Sequence, residues 1–63
     1  MEEVNGVVVE CNDNLYVVKL DDGRLINAHL SSRIVTNRIR IFVNDEVSVR
    51  VNGETGAITY KIH

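Results

Sequence analysis

A chain of 63 residues with one cysteine and no proline makes one domain of minimal size, and Cys11 alone excludes an internal disulfide, so apolar packing must hold the fold. No apolar run approaches the ~20 residues of a membrane span and the first residues lack a signal-peptide pattern, which predicts a cytoplasmic protein. The net charge of −2 excludes whole-molecule attraction to nucleic acid but conceals a segregation: residues 1–23 carry −5, residues 24–40 carry +4 and residues 41–63 carry −1. Any binding of phosphates therefore rests on a local patch around Arg24, Arg33, Arg38 and Arg40.

In chain order, Val4 to Cys11 contains Val7-Val8-Val9, a β-branched run that favours strand over helix. Gly6 inside it marks a coil, a bulge or a close approach of another backbone. Cys11, at the end of this valine-rich run, reads as a buried thiol. Asn12-Asp13-Asn14 suits a turn. Leu15 to Leu20 forms a second strand with Tyr16, Val18 and Leu20 on one face. Asp21-Asp22-Gly23-Arg24 is a strong hairpin signal, because glycine accepts the positive φ of a tight turn.

Leu25 to Leu30 is the third strand, its alternation placing Ile26, Ala28 and Leu30 inward and Asn27 and His29 outward. Ser31-Ser32 breaks the pattern, and either serine can cap a short helix or loop over residues 32–37, with Ile34 plugging one end of a barrel. Arg38 to Phe42 alternates again, both arginines on one face and Ile39 and Ile41 on the other. Asn44-Asp45 makes a turn, Glu46 to Val51 turns Val47, Val49 and Val51 inward, and Asn52 to Gly56 is a hairpin loop. Ala57 to Ile62 closes the chain, its alternation turning Ile58, Tyr60 and Ile62 inward. Five strands with a short helical element between the third and fourth is the layout of an OB-fold, a small all-β barrel spanning residues 1–63.

No catalytic constellation is visible. The only histidines are His29 and His63, no metal-ligand spacing occurs, and the pairs Asp21-Asp22 and Asp45-Glu46 sit in turns, where hydrogen bonds to backbone account for them. The expectation is a binding protein without enzymatic activity, cofactor, metal or small-molecule substrate. Arg38 and Arg40 are the leading binding residues, because a planar guanidinium matches phosphate oxygens in bidentate fashion. Arg33 on the helical element, Asn27 and His29 on the outward face of strand three, and Lys61 on strand five extend the same surface. Tyr16 and Tyr60 both point inward by alternation, so a base-stacking platform is not expected. Docking onto folded RNA through phosphates and shape remains.

With these elements placed, the middle of the chain resembles bacterial translation initiation factor one. The residues that carry the likeness are Gly6-Val7-Val8-Val9-Glu10, Leu20-Asp21-Asp22-Gly23, Ala28-His29-Leu30-Ser31 and Asn37-Arg38-Ile39-Arg40-Ile41, followed by Asp45 and Val47. The resemblance implies an OB-fold that docks on ribosomal RNA of the small subunit near the aminoacyl site, acts by occupancy and works beside other initiation factors; a 63-residue barrel with few exposed apolar positions reads most simply as a monomer. It places Asn37 and Arg40 on the family's motif. The chain departs from that pattern at Val35 and Thr36, where relatives are basic, at Arg38, where they carry an aromatic, and in a shorter loop over Asn52 to Gly56. Two alternatives therefore stay open: an RNA chaperone or antiterminator independent of ribosomes, and a protein-interaction barrel that has lost RNA binding.

Overall fold

The computed structural model describes residues 2–62. Five strands, β1 (Glu2–Asn12), β2 (Leu15–Leu20), β3 (Leu25–Leu30), β4 (Glu46–Asn52) and β5 (Thr55–Lys61), and one helix, α1 (Ser32–Thr36), follow one another with α1 between β3 and β4. The sheet closes in the order β1-β2-β3-β5-β4. Every adjacent pair is antiparallel except β3 with β5. Closure removes the free edges that a small sheet would otherwise expose.

β1 is long because it serves two neighbours. Glu2 to Val7 pair with β4, and Gly6 to Asn12 pair with β2. Gly6 lies where the two pairings overlap and the strand turns from one to the other. A Cβ there would sit 2.7 Å from both the Lys19 carbonyl oxygen and the Val18 Cγ1. The close backbone approach anticipated at Gly6 is thus the reason for the glycine.

The inward series matches the alternation in the sequence along β2, β3 and β4, and as far as Val8 in β1 and Ile58 in β5. Val8, Val18, Val47, Val49 and Ile58 are fully buried, with Tyr16, Leu20, Ile26, Ala28 and Val51 beside them. Ile34 from α1 is also fully buried and joins the core cluster, in keeping with its expected use as a plug.

Two expectations are overturned, one near the end of β1 and one at a bulge in β5. In β1 the register slips between Val8 and Glu10, leaving Val9 as an extra residue. The extra residue puts Cys11 in phase with the inward-facing Tyr16, yet Cys11, one residue from the end of β1, is exposed rather than buried. It faces Tyr16 across the strand pair. Burial pushes the Tyr16 hydroxyl above its ordinary range, and the neighbouring thiol adds to the shift. In β5, Ser48 pairs with Tyr60 while Val49 pairs with Ile58, so Thr59 is the extra residue. Tyr60 is consequently turned outward and is 58% exposed, and Ile62 is exposed too. A single inserted residue reverses every side chain that follows it.

Candidate nucleic-acid interface

The segment from Arg38 to Phe42 is not a strand. α1 ends at Asn37, and two backbone hydrogen bonds close it: Arg38 N–H donates to Val35 O at 3.1 Å, and Ile39 N–H donates to Ile34 O at 3.1 Å. This is a Schellman closure, which requires a left-handed residue after the cap. Arg38 is that residue, with φ 55°. The other two non-glycine residues with positive φ are Asp13 and Asn44, types whose short polar side chains suit this region.

An arginine at the position that favours glycine costs stability, so Arg38→Gly should raise it by about 0.5 kcal/mol. A urea melt measures that gain. If the charge serves binding, RNA affinity falls in the same variant.

Beyond Arg38 the chain forms no strand as far as Phe42, and the alternation survives without one. Ile39 is half-buried and Ile41 is buried, whereas Arg38 and Arg40 are exposed. Asp45 fixes the far end of this segment. Its carboxylate accepts from the Phe42 N–H at 2.7 Å, and Lys61 Nζ lies 3.3 Å from it. Lys61 Nζ also donates to the Arg40 carbonyl oxygen at 2.8 Å and lies 5.8 Å from the centre of the Phe42 ring. Asn44 and Asp45 bond in turn to Val8 on β1. Lys61 therefore clasps the connection from β5, with its charge directed to Asp45.

The Phe42 N–H is the main cause that holds the Asp45 carboxyl below its usual value of 3.8, with Lys61 adding to it. A carboxylate with a depressed folded value stabilises the protein fully above the unfolded value and less as pH falls through the folded one. The melting temperature should therefore drop below about pH 4, and Asp45→Asn should flatten that part of the drop while lowering the neutral-pH value. Thermal melts between pH 7 and pH 2 read both effects.

Lys19 and Arg50 stand singly on β2 and β4, and the remaining arginines divide into two groups. Arg24 is held in the β2–β3 turn by Asp22, at 2.7 Å, and by Glu2, at 3.2 Å. Arg33, Arg38 and Arg40 make no ion pair among the described residues, and all three are exposed. They come from the helix, its cap and the connection after it. Asn37, the cap itself, is exposed beside Arg38. Ile34 and Ile39 root the group in the core.

Asn27 and His29 occupy the outward face of β3, as expected, and both are exposed. Strand register shows what lies beside them. Asn27 pairs with Thr55, which pairs with Asn52; His29 pairs with Ala57, Ala57 with Arg50, and Arg50 with Glu3. Ala57 is small, so a notch of about 260 Å³ opens between His29 and Arg50.

On the other side of Arg50 a larger groove of about 610 Å³ is bounded by Arg33, Tyr60, Glu3 and Ser31. Arg50 and Tyr60 were absent from the sequence-derived site. Alternation already turned Arg50 outward, and its significance comes from Ala57 beside it. Nothing in the sequence marks the bulge that exposes Tyr60.

Among the described residues, no group of three or more His, Cys, Asp and Glu side chains is placed to hold a metal ion. No helix of the described residues is long and apolar enough to cross a membrane.

No family model matches the chain. YjeQ from Thermotoga maritima superposes with a TM-score of 0.86 at 23% identity, over 98% of this chain. The chain spans only 23% of YjeQ, and at that identity the likeness shows the fold alone. Translation initiation factor one from the Wolbachia endosymbiont strain TRS of Brugia malayi superposes with a TM-score of 0.79 at 29% identity, over 98% of this chain and 78% of that one. The shared architecture and the likeness across nearly the whole chain agree with the resemblance carried by the motifs: this is an OB-fold protein like initiation factor one.

Proposed function

We propose that the protein binds folded RNA and docks on small-subunit ribosomal RNA near the aminoacyl site, through Arg33, Asn37, Arg38 and Arg40. The observation that carries this reading is the clustering of three unpaired arginines on one anchored segment, whereas the other unpaired cations among the described residues, Lys19 and Arg50, stand singly on β2 and β4. Arg24 and Lys61 are engaged by carboxylates, whereas the three arginines of α1 and the connection after it are exposed and unpaired among the described residues. They stand on a segment anchored at both ends, by the Schellman closure and by the Asp45–Lys61 clasp. Guanidinium groups held this way are suited to phosphate oxygens in a folded RNA, which presents them in fixed positions.

Similarity to a protein named as a translation initiation factor supports the small subunit as the RNA and other initiation factors as companions. The protein acts by occupying its site as a monomer, with no bond made or broken.

Cosedimentation with purified small subunits tests the reading. Recovery in the subunit fraction, reduced by high salt, is expected. A protein that binds free RNA but never appears with subunits would be a ribosome-independent chaperone or antiterminator instead. Retention of a protein partner after nuclease and high-salt washing, with no RNA, would indicate a protein-interaction barrel.

A further inference from the structure

The outward face of β1, β4 and β5 carries a second concave surface, distinct from the connection that holds Arg38 and Arg40. We propose that it seats a short single-stranded stretch of RNA, with Tyr60 stacked on a base and Arg33 and Arg50 holding the phosphates on either side. The inference rests on the RNA-binding reading above and extends it to an unpaired segment.

Tyr60 is 58% exposed and lines the same groove as Arg33 from α1 and Arg50 from β4. Neither arginine makes an ion pair among the described residues. Glu3 stands opposite Arg50 in register, yet its carboxylate accepts from the Thr59 hydroxyl at 2.9 Å and leaves the guanidinium free. Ser31 Oγ, also on the groove, is closed to solvent and has no hydrogen-bond partner among the described residues.

Arg50 is shared with the notch that reaches His29 across Ala57. Strands lie about 4.8 Å apart, so Arg50 and His29 stand on strands about 10 Å apart. The two concavities therefore flank Arg50, with His29 lining one and Tyr60 the other.

The chemistry of the lining selects the occupant. An apolar peptide would need an aliphatic floor, but here Ile62 is the one aliphatic residue, and the rest of the lining is serine, asparagine, threonine, Glu3, one ring and two guanidinium groups. A base has a π-face for Tyr60, and its phosphates meet the arginines. Glu3 repels phosphate from the β1 side and can accept from the exocyclic amine of a base. Adenine supplies such an amine, which makes a hexa-adenylate a suitable probe.

The test is fluorescence anisotropy of fluorescein-labelled hexa-adenylate titrated with the full chain at low salt. Tyr60→Ala is expected to weaken binding about tenfold and Arg50→Glu by about the same factor, while Tyr60→Phe retains affinity within about twofold. Both residues are exposed, and circular dichroism confirms the fold of each variant. Intrinsic tyrosine emission should be quenched by the oligomer in the native chain.

The proposal is overturned if Tyr60→Ala and Arg50→Glu bind the hexamer as the native chain does, the outcome also expected of a peptide groove. Binding of folded small-subunit RNA by an Arg38→Glu/Arg40→Glu variant separates the two readings. If that variant loses folded RNA while the hexamer is insensitive to Tyr60 and Arg50, the groove proposal falls alone. If the native chain binds neither RNA, both fall.

Discussion

Ile34→Ala is expected to destabilise the protein by about 2–5 kcal/mol, a large part of what a domain of this size possesses. Ile34 is fully buried and is the side chain by which α1 enters the core. Its carbonyl also accepts from Ile39 N–H, so core packing and the helix end meet at one residue. α1 is five residues long, far below the length at which a helix is stable by itself in water. Removing the plug should therefore unseat the helix together with Arg33, Arg38 and Arg40. The urea midpoint should fall sharply, and RNA affinity should fall even where most molecules remain folded. Ile34→Val, which leaves a smaller void, should cost about 0.5–1.5 kcal/mol. An unchanged midpoint in Ile34→Ala would show that α1 is not held by its core contact.

The second large effect concerns binding alone. Arg38→Glu/Arg40→Glu replaces two exposed guanidinium groups with carboxylates and changes the local charge by four. Loss of two charge-assisted contacts, about 1.5 kcal/mol or more each, predicts at least a hundredfold drop in affinity for small-subunit RNA. Stability should change little, because neither side chain is buried or paired among the described residues. Arg38→Gly supplies the control for the backbone, since it removes one charge while relieving the left-handed conformation. Undiminished binding by the double glutamate variant would remove the connection from the interface.

How far the sequence carried the fold can be judged at particular residues. Strict alternation in β2, β3 and β4 placed Val18, Ile26, Val47 and Val49 inward correctly, because those strands run without an inserted residue. The Asp22-Gly23 turn was legible for a local reason: Gly23 adopts φ 96°, and Asp22 accepts from the Arg24 N–H at 3.0 Å. Tyr60 went astray because a bulge depends on how two strands pair and leaves no residue type as its sign; Cys11 went astray because its valine-rich run ends one residue later, where the strand leaves it exposed.

Arg38 to Phe42 shows a different limit. Alternating burial was right, yet the backbone forms no strand, because Ile39 and Ile41 alternate for packing against the core and not for hydrogen bonding. For the site, charge segregation pointed to the cationic connection and alternation to Asn27 and His29. What depended on register was the arrangement beside them: Arg50 next to small Ala57, and Tyr60 brought to the surface by Thr59.

The central claim is that binding is carried by arginines meeting phosphates. Its most direct test is the salt dependence of affinity for small-subunit RNA, in the native chain and in Arg38→Glu/Arg40→Glu. If about three or four phosphates are neutralised, at about 0.7 counterion each, log affinity should fall against log salt with a slope of about −2 to −3. The slope should be shallower in the variant. A flat dependence in the native chain, or the same slope in both proteins, would contradict the account.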